Sequence, residues 1–181
     1  MSTEESYKKI ISYCRNLFEK KTKDYGTAWR ILRPSSITDQ IFIKAKRIRN
    51  IQEKGTQKIN EDISSEFVGI INYSLIALMQ LEWQNDDRME LSVDEVMSGY
   101  DTHYQRTWEL LTAKNHDYGE AWRDMRVSSI TDIILMKILR VKQIENNSGK
   151  TLVSEGVAAN YQDILNYSVF ALILMGFDKN I

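Results

Sequence analysis

Lys44 and Arg47, three residues apart, return in the same local setting as Lys137 and Arg140. Two cations one helical turn apart can hold a phosphate or a pair of carboxylates. Lys44 falls where the 3–4 spacing of Ile37, Ile41, Ile48 and Ile51 asks for an apolar side chain, and Lys137 does the same among Ile130, Ile134, Val141 and Ile144. An ammonium in an apolar seam must either stretch along its stem to water or meet an anion, because burying it alone is strongly unfavourable. Two outcomes stay open: an internal ion pair with the amine reaching solvent, or a ligand anion. The carboxylates have their own pattern. Asn16 and Glu19 align with Glu109 and Thr112, and Glu66 and Gly69 with Asn160 and Asp163, so each copy keeps one acid of an i, i+3 pair on each of two helices. Carboxylates converging from several helices are how bundles hold Mg²⁺, a hard cation that prefers oxygen. Glu19, Glu66, Glu109 and Asp163 would make one composite metal site if the halves pack about a pseudo-twofold axis; otherwise they are helix-face acids.

The string Asp24-Tyr25-Gly26-Thr27-Ala28-Trp29-Arg30 recurs as Asp117-Tyr118-Gly119-Glu120-Ala121-Trp122-Arg123. Its structural content is a helix stop at glycine, with Tyr25 and Trp29 pinning the turn to the core. Its functional content would be Trp29 and Trp122 as stacking surfaces for a base, with Arg30 and Arg123 (and Arg33 and Arg126) contacting an anion. Ser36 with Asp39 resembles a capping box, and the same holds for Ser129 with Asp132, which leaves the neighbouring serine free for a phosphate. Within long apolar runs sit Asn72-Tyr73 and Asn166-Tyr167. A buried amide needs partners on both oxygen and nitrogen, supplied by a neighbouring helix or by the polar edge of a nucleobase or sugar.

Other chemistries are missing. There is no phosphate-binding P-loop, no glycine-rich dinucleotide fingerprint and no nucleophile elbow. One cysteine, Cys14, rules out an intramolecular disulfide and a thiolate zinc cluster, and the two histidines, His103 and His116, occupy unmatched positions of the repeat. A formal charge of -1 gives no electrostatic footprint for DNA or RNA. No signal-like apolar core opens the sequence and no uninterrupted apolar stretch reaches membrane length, so a cytoplasmic protein is expected.

The elements that must position these residues are legible from a duplication. Between Asp24–Ile51 and Asp117–Ile144, 16 of 28 positions are identical at an offset of 93, which becomes 94 after a one-residue insertion. Residues 1–83 and 97–181 form the two copies and 84–96, opening on Gln84-Asn85-Asp86-Asp87-Arg88, reads as a linker. With one proline and eight glycines the fold is predicted to be all-α. Each copy reads as three helices: Glu5 to Lys23, Ser36 to Glu53 with Gly55 closing it, and Ile63 to Trp83 in the first. The third is apolar all round, as is its copy from Val157 to Met175, so both are predicted to be buried on every side as the central pair of a six-helix bundle-like assembly. Their surplus apolar surface also makes a homodimer plausible.

Lys23-Asp24-Tyr25-Gly26-x-Ala-Trp, the Ser-Ser-x-x-Asp string, Lys44-x-x-Arg47 and Asp163-Ile-x-Asn166-Tyr167 resemble the helical nucleotide-modification-associated domain family, in two tandem copies covering nearly the whole chain. The resemblance implies a place in nucleotide metabolism. A more distant similarity is to the MazG-like all-α nucleotide pyrophosphohydrolases, whose Glu-x-x-Glu and Glu-x-x-Asp helices bind Mg²⁺ around nucleotide phosphates. Here Glu109 with Glu19, and Glu66 with Asp163, would stand at those positions, although neither half keeps an intact pair. The leading expectation is a nucleotide-handling protein performing Mg²⁺-dependent hydrolysis of nucleoside triphosphates. The alternative is a non-catalytic helical module binding a nucleotide or a protein.

Overall fold

The computed structural model describes residues 1–55 and 63–181, all of them helical or in turns and connections. Among the described residues six α-helices follow one another: α1 Thr3–Tyr25, α2 Pro34–Lys54, α3 Ile63–Glu82, α4 Val93–Tyr118, α5 Val127–Asn146 and α6 Val157–Leu174. A short 3₁₀ turn, Ala28–Ile31 or Ala121–Asp124, separates the first and second helices of each half, and a third, Phe177–Lys179, ends the chain. The expectation of two tandem three-helix repeats holds. α4 begins at Val93, inside the stretch read as linker from the sequence.

Local chemistry fixes the helix ends. Ser2 and Ser92 each close a capping box with a glutamate three residues on, Glu5 and Glu95. At the second helices the expected Ser36 and Ser129 caps are not formed. α2 starts two residues earlier, with Pro34 at its first turn and Arg33 as N-cap, and α5 follows the same pattern from Arg126. Proline's fixed φ and missing N–H suit the first helical turn, so Pro34 opens the helix rather than preceding it. Gly26 and Gly119 end α1 and α4 at φ 66° and 63°, a conformation that L side chains rarely adopt. At Gly26 a Cβ would also collide with the Glu90 carboxylate, which docks against the turn.

α2, α3, α6 and α5 pack in a ring, α3 against α6 and α2 against α5, with α1 and α4 laid over the α3–α6 pair. α3 is long and apolar enough to cross a membrane, but 78% of that window is buried inside the protein, as in a core helix. The apolar surplus of α3 and α6, which suggested a homodimer, is absorbed within one chain because the two helices cover each other.

Crossed contacts relate the halves about the expected pseudo-twofold. Tyr7 donates from its hydroxyl to Asn166 Oδ1 at 2.7 Å, and its counterpart Tyr100 donates to Asn72 Oδ1 at 2.9 Å. Arg49 pairs with Asp132 at 3.5 Å, and the equivalent Lys142 pairs with Asp39 at 3.1 Å. Because every such bond joins one half to the other, the copies share a single core and are not independent domains.

Candidate functional site

The two lysines that break the apolar pattern lie beside the core seam, not in it. The buried stripe of α2 is Ile37, Ile41, Ala45 and Ile48, and that of α5 is Ile130, Ile134, Ile138 and Val141. Ala45 and Ile138 therefore complete the spacing, and Lys44 and Lys137 sit one residue off, at its edge. Each meets an internal carboxylate. Asp163 accepts from Lys137 at 2.9 Å and from Lys114 at 2.8 Å, one on each oxygen. Glu66 takes Arg47 at 2.6 Å and lies 3.7 Å from the Lys44 amine. Arg140, the counterpart of Arg47, is exposed and borders an open concavity against the 150–155 loop.

The four acids do not gather. Among the described residues no group of three or more His, Cys, Asp or Glu could hold a metal ion. Glu19 forms i, i+4 pairs with Lys23 at 3.2 Å and Arg15 at 3.7 Å, and Glu109 is exposed, its carboxylate accepting from Gln105. Glu66 and Asp163 are buried, yet each serves the cations of its own half. The composite cluster does not form because Glu19 is paired with Arg15 and Lys23 on its own helix and Glu109 is exposed on α4.

Arg30 and Arg123 are also engaged within the chain, whereas Arg33 and Arg126 are exposed. Arg30 is buried, donating to the Arg88 carbonyl at 3.0 Å, to the Asp86 carbonyl and to Gln80 Oε1, so it clamps the connection between the halves. Arg123 lies 4.6 Å over the Trp122 ring and bonds Glu120 and Thr3. Asn72 spends its oxygen on Tyr100 and one N–H on the Cys14 carbonyl at 3.1 Å, while Asn166 accepts from Tyr7. The amides are thus primarily bridges between halves. Tyr25, read as pinning the turn to the core, is instead 59% exposed, and its counterpart Tyr118 is 79% exposed.

What the first half does possess is a cavity of about 620 Å³. Its aromatic wall comprises Trp29, Tyr25 and Tyr73, and it is also lined by Lys21, Lys44, Gly69 and Asn72. α1 contributes Lys21 and Tyr25, the 3₁₀ turn Trp29, α2 Lys44, and α3 the remainder. Tyr73 sits 5.7 Å from the Lys44 amine, measured to its ring centroid. Partial burial, assisted by Tyr73 and Asp24, raises the Tyr25 hydroxyl above its ordinary pKa, so it remains a neutral donor. In the second half Trp122 is buried and stacks flat on Phe170, centroids 4.2 Å apart and planes 3° from parallel, where the first half has Ile76. Tyr167 meets the edge of the same Phe170 ring, and burial together with Asp163 raises its hydroxyl. Lys21 and its counterpart Lys114 were not singled out from the sequence, although lysine recurs at both positions.

The profile of nucleotide modification associated domain 1 matches residues 21–81 and again 114–175, about two thirds of the chain. The chain belongs to this family, in two tandem copies. Similarity to the MazG-like pyrophosphohydrolases is not shown. No curated protein and no solved structure matches the chain. Both matched segments span from Lys21 or Lys114 to the end of the third helix, so Tyr25, Trp29 and Tyr73 fall within them, whereas Tyr13, Phe18 and Phe177, which also line the cavity, do not.

Proposed function

We propose that this chain binds a nucleotide in the cavity of its first half and serves nucleotide modification in the cytoplasm. The observation that carries the reading is an aromatic-walled cavity of about 620 Å³ with two lysines on its lining. That volume lies within the range of small-molecule sites, roughly 300–1,000 Å³. Tyr25, Trp29 and Tyr73 offer π faces to a base, and Lys21 and Lys44 supply the positive charge that phosphate oxygens require. The binding-module alternative is thereby favoured over hydrolysis. The described carboxylates do not fit a resident Mg²⁺, since Glu66, Asp163 and Glu19 are committed to cations and Glu109 is exposed.

The test is thermal unfolding against nucleoside mono-, di- and triphosphates, each with and without Mg²⁺. A ligand at a hundred times its Kd stabilises the native state by about 2.7 kcal/mol. Tyr25→Ala and Lys44→Met should lose most of the shift; both side chains line the cavity outside the buried core. Absence of any nucleotide shift, or a full shift in both variants, sinks the reading. Release of phosphate or pyrophosphate in the same mixtures would extend it to hydrolysis.

A further inference from the structure

The two halves neutralise the same lysine differently, and the difference identifies what the open half binds. In the second half the Asp163 carboxylate sits between Lys114 and Lys137, one oxygen to each amine at 2.8 and 2.9 Å. The equivalent positions in the first half are Gly69, Lys21 and Lys44, and all three line the cavity. With no Cβ at Gly69, the Lys44 stem lies across α3. A Cβ built there would come within 3.0 Å of the Lys44 Cδ and Cε and 3.1 Å of its amine. Lys44 then reaches Glu66 only at 3.7 Å, beyond hydrogen-bonding distance. Among the described residues Lys21 has no carboxylate within ion-pair distance.

The second half thus contains two lysines and their anion, and the first contains two lysines lining a cavity, with the Lys44 stem resting on Gly69 where the anion's side chain would begin. Replacing Ala158 and Ala159 of the second half, Ser64 and Ser65 also stand on this wall, so the first half is the more polar one there. We infer that Asp163 is an internal plug: it occupies in the second half the subsite that Lys21, Lys44 and Gly69 offer in the first to an external anion, a phosphate or carboxylate group. The anion subsite rests on the nucleotide reading only for the base that accompanies it; the plug itself concerns charge alone.

Trp122 points the same way. Its ring is packed against Phe170 and buried, whereas Trp29 is half-buried at the cavity wall. The half that supplies its own anion has closed its aromatic wall as well, so one chain carries one open site and one sealed one.

Gly69 is helical at ordinary φ, and the atoms that an added Cβ would meet are the flexible end of one lysine, so Gly69→Asp is tolerated. The experiment is calorimetric titration of the full chain, in wild type, Gly69→Asp and Asp163→Gly, with inorganic pyrophosphate and with a nucleoside monophosphate. Wild type is expected to take one monophosphate per chain. Gly69→Asp should lower its affinity for both probes at least tenfold while melting no lower than wild type. Asp163→Gly should gain a second pyrophosphate per chain and recover thermal stability when pyrophosphate is added. Equal monophosphate binding by wild type and Gly69→Asp overturns the plug and leaves the nucleotide reading standing. If no variant binds the monophosphate but Asp163→Gly gains pyrophosphate, the nucleotide reading falls and the plug survives. An Asp163→Gly protein that gains nothing, beside a Gly69→Asp protein that binds as wild type, ends the inference.

Discussion

Asp163→Asn keeps the volume of the side chain and removes the charge that Lys114 and Lys137 share. The side chain of Asp163 is 12% exposed and that of Lys137 is 13% exposed, whereas Lys114 is 40% exposed and can rehydrate. Breaking a fully buried ion pair costs about 3–5 kcal/mol, chiefly because one charge is left stranded. Only Lys137 is stranded here, and its flexible stem gives it partial relief. The cost should therefore fall near 2–3 kcal/mol. For a chain of this size each kcal/mol moves Tm by about 2–4 °C, so a drop of roughly 4–12 °C is expected. Urea unfolding at constant m-value measures it, with Glu19→Gln as the surface comparator. Glu19 forms half-exposed i, i+4 pairs, and its loss should cost under about 1 kcal/mol. Adding Lys137→Met to Asp163→Asn should return part of the lost stability, since it removes the stranded charge. An Asp163→Asn protein within about 1 kcal/mol of wild type, with no recovery from Lys137→Met, would show that the pair is solvated and that the burial argument is mistaken.

The crossed tyrosine bonds and the histidine supply two further tests. Tyr7→Phe leaves Asn166 Oδ1 without its donor inside the core and should cost about 1–3 kcal/mol. Tyr100→Phe should cost less, because Asn72 keeps its bond to the Cys14 carbonyl and borders the cavity, where water can replace the phenol; equal losses in denaturant unfolding would contradict this asymmetry. Burial holds the His103 imidazole below its ordinary pKa despite its bond to Glu82. The unfolded chain then binds the proton more readily than the folded one, so stability is full above about pH 6.5 and declines as pH falls below it. His103→Gln should flatten that decline between pH 7.5 and 5.5, and an unchanged slope would remove His103 as its source.

The helices were legible because their signals are local. The glycines at 26, 55 and 119 and the apolar runs of α3 and α6 each state an element or its end. The pairing of the halves was legible through the repeat, since two homologous units with self-complementary apolar helices pack about a twofold. The site was harder to read for a geometric reason. Periodicity along one helix cannot distinguish a residue in the seam from one beside it, so Ala45 and Ile138 were passed over and Lys44 and Lys137 placed in the core. Nor can alignment reveal what closes a bond across the fold. Arg30 reaches backbone carbonyls 56 and 58 residues away, and nothing in the spacing of the repeat announces them. The recurrence of lysine at 21 and 114 was visible in the sequence, but its meaning depends on Asp163 arriving from another helix.

The divergence of the third helices acquires a physical sense from these contacts. Glu66 opposite Asn160 and Gly69 opposite Asp163 looked like two broken metal-binding pairs. In the fold each surviving acid neutralises the lysine of its own half, and the question becomes where along the helix it stands. An acid at the Asp163 position fills the space between the two lysines and bonds both. Moved back by three residues, to Glu66, it lies one helical turn away, takes Arg47 directly and leaves Lys44 at 3.7 Å. That displacement leaves no carboxylate at Gly69, and the Lys44 stem rests there beside the cavity. A single turn of helix therefore separates a self-neutralised half from one with a lysine-lined cavity, and the duplication can keep both without disturbing the shared α3–α6 core.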